Sequence, residues 1–117
     1  AVEAMRELML ASQPEAVFPL EVRTTAADEA YLSSNYRRPS TVISVSGQPG
    51  RDYWPYLRAV DQLLGEFDAR VHWGKLHFLT RAQLAERYPE SARFIAVRRE
   101  LDPDGVFLND HLRPLLA

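Results

Sequence analysis

Apolar residues recur at two different periods along this 117-residue chain, and each change of period marks an element. Val2, Met5, Leu8 and Met9 keep the three-and-four spacing of an amphipathic helix over residues 1–11. In "FPLEVR", Phe18, Leu20 and Val22 alternate with Glu21 and Arg23, which predicts a strand with one buried face. Residues 24–40 carry no such period and end in "RRPS", the approach to a second strand. That strand is the β-branched "TVISVS" over residues 41–46, with Ser44 and Ser46 on one face. "GQPG" then breaks the chain. Trp54, Leu57, Val60, Leu64 and Phe67 form a long helical stripe, with Pro55 tolerated because it falls in the first turn. "RVHWGKLHF" reads as a strand or an extended loop. "TRAQ" is a capping box, Thr80 as N-cap and Gln83 at the third helical position, opening a helix that stops before Pro89. A helix over residues 90–101 ends at the turn signal "DPDG", and the apolar piece "VFLNDHLRPLL" closes the chain.

The order α-β-β-α-β-α-α predicts an α+β fold, an antiparallel sheet with packed helices. Three strands make a poor sheet alone, and their helices need more surface to cover than these residues supply. The expected domain organisation is therefore a C-terminal portion, residues 1–117, of a larger protein. The start at Ala1 without an initiator methionine points the same way.

Composition narrows the function classes. The chain is 46% hydrophobic and 26% charged, as a soluble globular domain is. A net charge of −2 gives no electrostatic footprint for nucleic acid. No cysteine is present, which excludes disulfides and thiolate metal sites. No apolar run approaches the roughly 20 residues of a membrane span.

Two stretches carry candidate chemistry. Glu21 and Arg23, two apart on a strand, share a face with side chains roughly 6–7 Å apart. They are either an exposed pair or an acid and a guanidinium that together grip a polyhydroxylated substrate. In "RVHWGKLH", an extended backbone would put Trp73, Lys75 and His77 on one face and His72 on the other. Lys75 is then a cation aimed at an anionic or electron-rich group, or a snorkelling surface lysine. Opposed faces argue against His72 and His77 as joint metal ligands, and no metal is expected. His111 reads as a cap or surface group. Ser33, Ser34, Ser44 and Ser46 lack a nucleophile-elbow context, so hydrolase chemistry has no support. Neither G-x-G-x-x-G nor a P-loop occurs, and Trp54, Phe67 and Phe94 read as core.

Five stretches, "FPLEVRTTAADEAYLSSNYRR", "RDYW", "RVHWGKLH", "RYPE" and "LDPDGVFLN", follow one another in an order that resembles the C-terminal region of the sugar-lactone and alditol oxidases. The resemblance covers nearly everything from Phe18 onward. It implies a flavoenzyme of the vanillyl-alcohol-oxidase type, with FAD bound mainly by an N-terminal domain outside this chain and a substrate domain covering the flavin ring. By the same resemblance, Glu21, Arg23 and Lys75 are catalytic, while Ser44, Ser46, His72 and Trp73 contact substrate. The implied reaction is oxidation of a sugar-1,4-lactone, of D-arabinono- or L-gulono-lactone type, or of a polyol, with oxygen or another electron acceptor as partner. The implied setting is cytoplasmic, or membrane-associated as in some members, and compatible with an oligomer. Two departures stand out: Val71 occupies the usual place of a proline, and Ser44 and Ser46 stand where alditol oxidases carry His and Thr. "RDYW" leans toward the lactone oxidases. The alternative is a non-catalytic binding module that keeps the fold without flavin.

Overall fold

The computed structural model describes residues 1–12 and 19–117, so the expectation for Phe18 lies outside the described residues. The elements are α1 (Val2–Ser12), β1 (Glu21–Thr25), β2 (Ser40–Ser44), α2 (Trp54–Gly65), α3 (Arg81–Arg87), α4 (Ser91–Leu101) and α5 (Arg113–Leu116). β1 and β2 pair antiparallel, so the fold is α+β as the hydrophobic pattern predicts. No helix among the described residues is long and apolar enough to cross a membrane. The chain divides into two compact units, each with its own core.

The first unit, Ala1–Ala26 with Pro39–Ala69, packs α1 against α2 and carries the ladder. Met5, Tyr56 and Val60 are buried together, with Leu8, Leu20, Ile43 and Leu57 packed against them. Burying each such side chain contributes about 1.5–3 kcal/mol. Two sequence expectations are corrected here. Trp54 and Phe67 are exposed, because Trp54 opens the helix and Phe67 lies beyond its end at Gly65. The middle of the expected stripe holds: Val60 is buried and Leu57 and Leu64 pack beside it, joined by Tyr56 from outside the stripe. Val22 is also exposed, so β1 has no buried face. A two-stranded ladder has little area to cover, and it is Ile43, directly opposite Val22, that reaches the core.

The second unit, Ala27–Arg38 with Arg70–Ala117, has a core of Leu79, Leu84, Tyr88, Leu108, Leu115 and Leu116, with Phe94 and Trp73 packed on it. α3 starts at the expected capping box. Thr80 Oγ1 accepts the Gln83 N–H at 3.3 Å and Gln83 Oε1 accepts the Thr80 N–H at 2.9 Å. After α4 the chain turns at "DPDG" around the buried Asp102, whose carboxylate accepts the backbone N–H of Val106 (2.7 Å) and of Phe107 (3.2 Å). Gly105 takes the left-handed conformation that this turn needs, at φ 66°.

The third strand is absent. Residues 70–79 form a loop with a tight turn, closed by the Lys75 N–H donating to the His72 carbonyl at 3.0 Å. The observed order is therefore α-β-β-α-α-α-α.

Candidate functional site

The ladder register sets the first group of polar side chains. Glu21 lies opposite Ser44 and Arg23 opposite Val42. Directly paired residues share a face, and Ile43 points the other way into the core. Glu21, Arg23 and Ser44 therefore stand together on the face turned away from the Met5–Tyr56–Val60 cluster. Arg23 Nη2 lies 3.9 Å from Glu21 Oε2, with the side chains 61% and 63% exposed. At that exposure the pair contributes little to stability. The carboxylate remains an acceptor and the guanidinium a donor fork for anything placed over the face. Ser44 is half-buried, while Ser46 is exposed and lies beyond the end of β2.

The second group sits on the turn of the other unit, and it is built quite differently. Trp73 donates its indole N–H to the Leu32 carbonyl at 2.8 Å and packs on Tyr88, ring centroids 5.6 Å apart. Tyr88, fully buried, accepts the Val71 N–H at 2.9 Å on its hydroxyl, which donates to the Val71 carbonyl at 3.3 Å. Burial pushes the Tyr88 hydroxyl above the ordinary tyrosine range, against a smaller lowering by the backbone hydrogen bond from Val71. Ser34 Oγ adds a bond to the same carbonyl at 2.7 Å. Arg70 donates to the carbonyls of Arg87 (2.7 Å) and Tyr36 (3.1 Å) and lies over the Tyr88 ring. The turn is thus fastened at Arg70, Val71 and Trp73. Val71, in the place of the proline noted above, supplies an N–H that proline lacks.

What this scaffold presents outward is His72, Gly74, Lys75 and Leu76, all exposed. The His72 ring folds back over the turn, accepting the Gly74 N–H on Nδ1 at 3.1 Å. A Cβ on Gly74 would lie 3.3 Å from His72 Cε1, so glycine lets the ring close down. The expected common face of Trp73, Lys75 and His77 is corrected. Without an extended backbone, Trp73 and His77 meet edge to face at 5.8 Å, and Lys75 caps the turn with His72.

Two residues gain roles that sequence reasoning missed. His111 is exposed as expected, yet its Nε2 lies 3.0 Å from His77 Nε2. The Leu79 N–H approaches the other ring nitrogen of His77, Nδ1, at 3.4 Å. Tyr88 had no period to reveal it, lying as it does between α3 and Pro89. Glu21, Arg23, Ser44 and Ser46 thus belong to one unit, and His72, Trp73 and Lys75 to the other.

The sequence profile of D-arabinono-1,4-lactone oxidase matches residues 1–115. L-gulono-1,4-lactone dehydrogenase of Mycobacterium tuberculosis is 46% identical over 101 residues, covering 86% of this chain and 24% of that protein. Alditol oxidase of a Streptomyces species is 40% identical over 97 residues, covering 82% of this chain and 23% of its own. L-gulonolactone oxidase of Bos taurus is 36% identical over 121 residues, 94% of this chain and 27% of the relative. The chain spans about a quarter of the length of these relatives and corresponds to their C-terminal part. It belongs to the D-arabinono-1,4-lactone oxidase family of oxidoreductases.

Proposed function

We propose that this chain is the substrate-side, C-terminal part of an FAD-linked oxidoreductase that oxidises a sugar-1,4-lactone of D-arabinono- or L-gulono-lactone type, or a polyol. The observation that carries the reading is the ladder face. An acid, a guanidinium and a hydroxyl stand side by side there, turned away from the core, in a chain of this family. That donor and acceptor set suits a polyhydroxylated ring. The same polar set suits the edge of a flavin ring. Nothing in the chain suits its pyrophosphate, since no glycine-rich phosphate loop occurs. The dinucleotide part of FAD belongs, on this reading, to an N-terminal domain.

FAD, when bound, supplies the acceptor for the hydride that leaves the substrate carbon. Glu21 accepts a hydrogen bond from a substrate hydroxyl and takes up its proton as the carbon is oxidised. Arg23 and Lys75 stabilise the negative charge that grows on that oxygen, Lys75 from the tip of a turn too well fastened to yield. Ser44 and Ser46 offer short hydroxyls and leave room for a lactone ring. His72 offers Nε2 to the substrate, and Trp73 walls the site and holds the turn. Electrons then pass to oxygen or to another acceptor.

The test uses the full-length enzyme, mixed without oxygen with a sugar lactone or a polyol, and follows bleaching of the oxidised flavin. Removing one such donor commonly costs on the order of 3 kcal/mol, roughly a hundredfold in rate. Lys75→Ala is expected to show that loss in the reduction rate, with KM changed less. Lys75→Arg is expected to recover only part of it, because a planar fork does not reproduce a compact ammonium. An unchanged rate in Lys75→Ala with every substrate that reduces the wild type overturns the assignment.

A further inference from the structure

His77 and His111 belong to the same unit and play no part in the substrate reading above. The sequence sets His77 against His72 and finds opposed faces; the fold sets it against His111. Their Nε2 atoms lie 3.0 Å apart, with ring centroids at 4.6 Å and planes inclined at 56°. Two rings meeting head-on along one N–H···N line would hold their centroids further apart than that. The pair is therefore bent, and its lone-pair axes do not both run along the line between the nitrogens. Each ring is held by its own surroundings. His77 meets Trp73 edge to face at 5.8 Å. His111 rides on a turn closed by the N–H groups of Leu112 and Arg113, which donate to the Asn109 side-chain oxygen (2.8 Å) and carbonyl (2.9 Å). His111 is exposed and His77 half-buried, so the pair sits at the surface.

We infer that His77 and His111 form a two-histidine site for a late divalent transition metal of the Cu²⁺ or Ni²⁺ type. With both rings leaning to one side, their lone pairs meet at a point roughly 2 Å from each nitrogen, the ordinary metal–imidazole distance. A 3.0 Å span between donors at that bond length sets nearly a right angle at the ion. That is the angle of tetragonal Cu²⁺ and Ni²⁺ sites, and it is narrower than the tetrahedral angle of Zn²⁺. Imidazole is also a donor that these ions favour. Among the described residues no further histidine, aspartate or glutamate joins the pair to make a group of three. Solvent completes the coordination, and the site is open. Coordination places the single ring proton of His77 on Nδ1, a proton displaced from Nε2 going there or to water. The Leu79 N–H contact at Nδ1 is then given up. At 3.4 Å that contact is long for a hydrogen bond, so its loss is small beside two metal–nitrogen bonds.

Cu²⁺ titrated into the full-length protein tests the site, because copper binds most tightly in the divalent series. The spin-echo modulation of the first Cu²⁺ bound per chain, which arises from remote imidazole nitrogens, is expected to count two histidines. His77→Gln and His111→Gln are each expected to weaken that binding at least about tenfold, the scale of loss when a metal's surroundings are damaged. Modulation from a single histidine in the wild type overturns the inference, and so does an affinity unchanged in either variant. The wild-type count needs no substitution, so a variant that fails to fold does not decide the outcome. Neither readout uses turnover or flavin, so the result stands apart from the proposed reaction.

Discussion

The ladder and the turn carry their polar groups in opposite ways. Glu21 and Arg23 sit on a two-stranded ribbon whose β1 is exposed on both faces, and their mutual contact is long. Lys75 is just as exposed, but the residues around it are fastened by Trp73, Val71 and Arg70 to a packed core. One region presents functional groups on a surface that its own unit barely supports; the other presents one from a support that is nearly complete. A two-stranded ribbon is marginal alone. The ladder face therefore gains from anything placed over it, whereas the turn is held by its own unit.

Mutations can break or sharpen that contrast. Tyr88→Ala removes the ring on which Trp73 rests and both bonds to Val71, and is expected to cost about 3–5 kcal/mol in urea unfolding. Val22→Ala on the ribbon is expected to stay within about 0.5 kcal/mol. Comparable losses at the two positions would erase the distinction.

Tyr88→Phe keeps the ring and leaves the Val71 N–H without its acceptor, an expected cost of about 1–3 kcal/mol. The same residue makes a pH prediction. Its folded pKa is raised by burial, so the stability tied to the neutral hydroxyl is fully present below the ordinary tyrosine pKa, about 10, and is lost as pH rises through the higher folded value. Unfolding midpoints measured from pH 8 upward are expected to fall above about pH 10 in the wild type and to fall less in Tyr88→Phe. Parallel curves would detach the hydroxyl from stability.

A smaller loss than at Tyr88 belongs to the cap. Thr80→Ala removes the acceptor for the Gln83 N–H at the start of α3 and is expected to cost about 1 kcal/mol, with Thr80→Ser recovering most of it. A neutral Thr80→Ala would mean that packing of Leu84 alone sets the helix start.

How much of this was legible depends on how local its cause is. The capping box at Thr80, the α1 stripe through Met5 and the "DPDG" turn are written within a few residues, and each stands where the pattern puts it. So does the shared parity of Glu21 and Arg23, because strand alternation needs no tertiary information. The errors lie where a distant partner decides. The alternating residues of "RVHWGKLHF" read as extended, but Leu32, Ser34 and Tyr88 draw that backbone into a turn. On α2, Leu57, Val60 and Leu64 pack where the stripe puts them, but Tyr56, off that stripe, joins Met5 of α1 in the core while Trp54 does not. The His77–His111 contact joins residues 34 apart in sequence, beyond the reach of any period.

A double-mutant cycle tests whether Arg23 and Lys75 stabilise charge on the same substrate oxygen, as proposed. Arg23→Ala, Lys75→Ala and the double variant are compared for anaerobic flavin reduction by a sugar lactone in the full-length enzyme. If both cations stabilise the same developing charge, the double variant is expected to lose at least about tenfold less than the product of the single losses, a coupling of about 1.4 kcal/mol or more. Losses that multiply fully would contradict that shared role, leaving Arg23 and Lys75 to act apart.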